Sequence, residues 1–207
     1  MSGVAEWIEE WERRERTPEA VAAWVDMVAA SVEESAPESG GDLRPLLRAS
    51  TEQHWLAFID HLTQGAPVHL PAAARAYALE VAQRHLGLAV LVKAYRGAQQ
   101  ASWRYVTDQV RSAPAEVDHE ELLIALWGAT AAWYDNAVEE SIVIHQKESR
   151  RIEQRGDAQR YAVVSALLEG EEADTPSVST ALGGYALSGS HVALIAHAVT
   201  PDAVGFL

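Results

Sequence analysis

The sequence predicts an all-α protein, a bundle of about six helices followed by the truncated start of an α/β domain. Three observations lead there. Apolar residues recur three and four apart in successive segments as far as residue 155. Residues that start and stop helices stand at the ends of those segments. One late stretch, "HVALIAHAV" (191–199), is short, apolar and bounded by turn residues, which favours a buried strand.

Val4, Trp7, Ile8 and Trp11 mark the first helix. Thr17 is placed to cap a second, with Pro18 at its first position, where a missing N–H costs nothing. Its apolar stripe is Val21, Trp24, Val25, Val28 and Val32, and the turn-rich segment 35–42 ends it. Asp42 can cap a third helix carrying Leu46, Leu47, Ser50, His54, Trp55, Phe58, Ile59 and Leu62, which Gly65 stops. Pro71 opens a fourth, with Ala74, Tyr77, Ala78 and Val81 inward and its end near Leu86 and Gly87. The fifth spans about 88–111 and is apolar nearly all round at its start, as in a helix buried on several sides. Asp118 and Glu121 have the capping-box spacing before a sixth, whose stripe is Leu123, Trp127, Thr130, Tyr134, Ala137, Ser141 and Ile144.

The polar continuation "HQKESRRIEQRGDAQR" (145–160) holds no proline. A further stripe of Tyr161, Val164, Leu167 and Leu168 runs to Gly170. The chain therefore permits one very long helix or two joined near Gly156 and Asp157. Being polar, the continuation is expected to lie in solvent between domains. After Gly170 the chain turns glycine- and serine-rich, with one short helix expected around 177–182. A lone strand at 192–199 has no partner in its own domain, so it is expected to be disordered, to pack loosely or to pair with the same segment of a second chain.

Composition narrows the function. The 207 residues carry 30 acids against 16 bases, a net charge of −14, which disfavours contact with phosphate backbones. No apolar run is long enough to span a membrane, the acidic N-terminus is unlike a secretory signal, and a cytoplasmic location is expected. Without cysteine there is no disulfide framework or thiolate metal site. The eight histidines include His54 and His61, seven apart, whereas helical metal pairs sit four apart. His54, within an apolar stripe, reads as a hydrogen-bonded core histidine, and His145 as a helix-surface one. No nucleophile motif or phosphate-binding glycine loop is present, so no enzyme, no cofactor and no metal are expected. A small-molecule pocket is the remaining candidate, lined by Tyr95, Arg96, Trp103, Trp127 and Trp133 on the two most apolar helices. Arg96 beside such a stripe would need an acidic or ligand partner.

Two passages carry a family resemblance. "LVKAYRGAQQASW" (91–103) resembles the signature Leu-x-x-Ala-Tyr-Arg-x-Gly-x-x-x-x-Trp in N-terminal domains of PucR/CdaR-type transcriptional regulators, with the glycine one position early at Gly97. "RYAVVSALLEG" and "ALGGYALSGSHVALIAHAV" (160–170 and 181–199) resemble the junction into the GGDEF-like domain of that family. The helical part also resembles the sensor domain of stressosome RsbR-type proteins, a globin-like helical fold that generally lacks haem. The resemblance implies a sensor and oligomerisation domain over 1–155. It makes 156–207 a connecting helix and the first strand of a truncated GGDEF-like domain. It further implies a homodimer, a small-molecule effector, no haem, and DNA binding only through a helix-turn-helix in a C-terminal part outside this chain. A stressosome-type interaction scaffold is the alternative, and a haem-binding degenerate globin a third.

Overall fold

The structure is a computed structural model that describes residues 3–170 and 174–187. Among the described residues seven α-helices follow in order: α1 (Gly3–Glu15), α2 (Pro18–Ser35), α3 (Arg44–Gln64), α4 (Ala72–Gln83), α5 (Leu88–Ser112), α6 (His119–Leu168) and α7 (Thr175–Ala181). The fold is all-α, and no strand occurs among the described residues. The expected strand at 191–199, and with it the α/β start, lies outside them. The chain divides into two compact units, Met1–Glu153 and Gln154–Leu207.

Local chemistry sets most boundaries. Thr17 caps α2, its hydroxyl oxygen accepting from the Ala20 N–H, with Pro18 opening the helix. Such a cap stabilises by about 1 kcal/mol. Gly65 ends α3 in the left-handed region at φ 66°, where glycine has no Cβ penalty. The carboxylate of Asp118 accepts from the N–H groups of Glu120 and Glu121 and so opens α6. Asp42 does not cap α3. It lies in a 3-10 turn, Gly41–Leu43, with its carboxylate 3.7 Å from Arg84, and Leu43 precedes the helix instead.

The first unit buries the stripes of α2, α3 and α4 nearly as the spacing predicts: Val21, Trp24, Val25, Val28 and Val32, then Leu47, Trp55, Phe58 and Ile59, then Ala74, Tyr77, Ala78 and Val81. At α5 the expectation of burial on several sides fails. Val90, Leu91, Ala94, Gly97, Ala101, Val106 and Val110 form one buried face, while Val92 and Trp103 are exposed on the other. The backbones of α2 and α5 come closest at Gly97. A Cβ built there would stand 2.6 Å from the Ser31 carbonyl oxygen, and the Ser31 hydroxyl donates to the Gly97 carbonyl at 2.9 Å. The displaced glycine of the sequence signature therefore sits where this crossing requires one.

On α6 the buried line runs through Leu122, Leu126, Thr130, Trp133, Ala137, Ser141, His145 and Glu148; it precedes the expected line by one residue at Leu122, Leu126 and Trp133 and coincides with it at Thr130, Ala137 and Ser141. The polar continuation is not solvated from its start. His145 is buried with its Nε2 2.9 Å from the Leu86 carbonyl oxygen, so it is not a surface histidine. Glu148 is buried too, accepting from the Gln83 amide at 3.1 Å and pairing with Arg151. Each polar group meets a partner supplied by another turn of chain, which periodicity along one helix does not reveal. Helix α6 stays continuous through Gly156 and Asp157. In the second unit, Asp174 caps α7 by accepting from Ser177, and Val178 is buried.

Candidate functional site

The interior of the first unit contains a cavity of about 70 Å³. One water needs about 10–15 Å³ by this measure, so the space has room for roughly five water-sized atoms. Helices α1, α2, α3, α5 and α6 all contribute to its lining, and no lining residue is an Asp, Glu, Lys or Arg.

Aromatic residues build most of the wall. Trp24 and Trp55 stack with ring centres 3.9 Å apart, bringing α2 and α3 together. Trp11 meets the edge of Trp55 at 5.6 Å, and Tyr105 meets Trp24 edge-on at 4.9 Å. Such pairs contribute about 0.5–1.5 kcal/mol each beyond their buried area. Trp11, Trp55, Tyr95 and Tyr134 find hydrogen-bond partners within the protein. Trp11 Nε1–H donates to the Tyr105 hydroxyl, and Trp55 Nε1–H to the Glu15 carbonyl. Tyr95 pairs with the Ser141 hydroxyl and Tyr134 with that of Ser102, both at 2.8 Å. The Ser102 hydroxyl donates to the Ala98 carbonyl, so the Tyr134 O–H is the donor to Ser102. Burial pushes the Tyr134 phenol up to about 12 and raises Tyr95 and Tyr105 as well, Tyr105 further through Glu15. All three stay neutral near pH 7.

His54 is the exception to this satisfaction. Its Nδ1 accepts from Trp133 Nε1–H at 3.2 Å. An indole N–H can only donate, so Nδ1 carries no proton and the neutral ring is protonated at Nε2. Burial lowers the His54 pKa to about 4, so the ring is neutral near pH 7. Nε2 is sealed from solvent, and no protein group accepts its proton. A hydrogen-bonded core histidine is what the sequence suggests; the orphaned second nitrogen is what the fold adds. A buried donor left in this way costs about 1–3 kcal/mol.

Of the five residues expected to form a pocket, two line the cavity and three do not. Tyr95 and Trp133 line the cavity. Trp103 and Trp127 form an edge-to-face pair at 4.7 Å away from it, with Trp103 exposed by 43%. Arg96 is exposed, so its guanidinium is open to solvent and the expected acidic or ligand partner is not needed. Sequence reasoning passed over Trp24, Trp55, Tyr105 and Tyr134 as lining residues. Their signal was present, since each lies on an apolar stripe, but stripes do not say which core residues surround a gap. No group of three or more His, Asp or Glu side chains suited to a metal ion occurs among the described residues. No described helix is long and apolar enough to cross a membrane.

Residues 18–160 match the family described as the RsbT co-antagonist protein rsbRD N-terminal domain. The match opens at the first residue of α2 and closes within α6, taking in every cavity-lining element except α1. No curated protein and no solved structure matches the chain.

Proposed function

The chain belongs to the family of RsbT co-antagonist protein rsbRD N-terminal domains, and on that premise we propose that it is a sensory and regulatory domain that acts through a protein partner. The observation that carries the reading is the extent of the match, which takes in all of the helical unit from α2 onward. The family description names antagonism of RsbT, so the partner proposed is an RsbT-type protein within a stressosome-type assembly. The strongly acidic balance of the chain suits a protein partner better than a nucleic acid. Native mass spectrometry of the full chain mixed with an RsbT-type protein from the same genome tests this. A defined complex is expected at about 10 μM of each protein, a concentration at which regulatory contacts of micromolar Kd are populated. Its absence there sinks the reading. The same spectra of the chain alone report the proposed homodimer.

A second reading, the helical part of a PucR/CdaR-type transcriptional regulator, is supported by the passages at 91–103 and 160–199. On that reading DNA is bound only through a helix-turn-helix encoded beyond this chain. Its test is whether the full-length gene product retards operator DNA in a gel. A product that binds the RsbT-type protein and no DNA leaves the first reading alone standing.

A further inference from the structure

The cavity combines an apolar, uncharged wall with one hydrogen-bond donor that nothing in the protein uses. Those two facts restrict what can occupy it. An anion would enter with a single neutral donor to hold it and no Lys, Arg or other charged group in the wall, which leaves its charge desolvated. A cation would face the positive end of the His54 N–H with no carboxylate in the wall to balance its charge. A pure hydrocarbon would fill the space and leave Nε2–H orphaned. A neutral molecule whose oxygen accepts that hydrogen bond satisfies both the wall and the donor.

We propose that the cavity is a binding site for a small neutral carbonyl compound of about five heavy atoms, whose apolar body lies against Trp55, Tyr95 and Trp133 and whose oxygen accepts the His54 Nε2–H. His54 is thus the specificity-determining residue, and Trp133 is the positioning residue that holds the proton on Nε2 through its own N–H. The site deepens the sensory half of the proposed function and rests on that reading only for its regulatory consequence. Ligand binding is measured on the chain alone, so failure here leaves the partner experiment untouched, and failure there leaves this one untouched.

The probes are four molecules of matched size: butanone, cyclopentane, propionate and tetramethylammonium. Each is titrated into the full chain while the His54 ring signals are followed by long-range ¹H–¹⁵N NMR. The free protein should show the Nε2–H tautomer. Butanone should shift the Nε2–H signal saturably with a Kd on the order of 1 mM, about what so few atoms and one hydrogen bond support. Cyclopentane should bind roughly tenfold more weakly for want of the hydrogen bond. Propionate and tetramethylammonium should not bind. His54→Phe keeps a flat ring and removes the donor, and should abolish the preference for butanone over cyclopentane. Ala98→Leu, which fills the space from α5, should abolish binding of both. The comparison of the four probes on the unaltered chain needs neither variant to fold. Equal affinity for butanone and cyclopentane, preference for either ion, or a His54→Phe variant that still prefers butanone would each overturn the proposal. So would an Nε2–H in nuclear Overhauser contact with a bound water that butanone fails to displace.

Discussion

Acidification should weaken the folded state through His54 in a way that one substitution can isolate. In the unfolded chain the imidazole titrates near 6.5, whereas burial holds it at about 4 in the fold. Between those values the unfolded chain carries a proton that the folded chain does not accept. Stability therefore rises with pH across that window and falls as pH drops through it. Above 6.5 both states are neutral and the group carries no proton-linked penalty; the penalty builds as pH falls and is complete below about 4. At about 1.4 kcal/mol per pH unit, the gap amounts to about 3 kcal/mol. No carboxylate or cation lines the cavity to offset this, so desolvation stands alone as the cause. The assay is urea unfolding followed by tryptophan fluorescence, on the parent and on His54→Phe, from about pH 7.5 to about pH 4.5. Every other ionisable group is common to both proteins, so its contribution cancels in the difference. Whatever offset the substitution causes at neutral pH, the parent should lose about 2–3 kcal/mol relative to the variant by the acid end. Parallel stability curves across that range would refute the assignment of a buried neutral imidazole.

Gly97→Ala gains about 1 kcal/mol of helix propensity but drives a Cβ to 2.6 Å from the Ser31 carbonyl, so a net loss of about 1–3 kcal/mol is expected by thermal melting. A melt at or above the parent's would mean that α2 and α5 part more easily than their packing implies. Trp55→Ala removes the ring shared by Trp11, Trp24 and Phe58 and should lower stability by about 3–5 kcal/mol in urea unfolding. Asp118→Ala strips the acceptor from the first N–H groups of α6 and should lose about 1 kcal/mol, with the midpoint shifting and the urea slope unchanged.

Periodicity carried the secondary structure a long way. The caps at Thr17 and Asp118, the glycine stop at Gly65 and the inward faces of α2, α3 and α4 follow from residue type and spacing, because these are decided within one or two helical turns. Continuity of α6 through Gly156 was one of two readings the chain permitted, and neighbouring helical residues outweigh the cost of about 1 kcal/mol for one internal glycine. The outcome differed wherever two segments distant in sequence meet. His145 and Glu148 look solvated along their own helix but are buried because the Leu86 carbonyl and the Gln83 amide reach them from the end of α4 and the turn beyond it. Trp103 and Trp127 look like pocket residues, yet they pair on the outside of α5 and α6 because the buried line of α6 runs through Leu126 and Trp133 instead. Sequence by itself determined an acidic, cysteine-free helical chain and marked His54 as a polar residue in an apolar stripe. Only the tertiary structure decided that one of its nitrogens would be satisfied by Trp133, from 79 residues away, while the other faces no protein acceptor. A gap between five helices is set by how their side chains fail to fill it together, and no one helix's pattern contains that information.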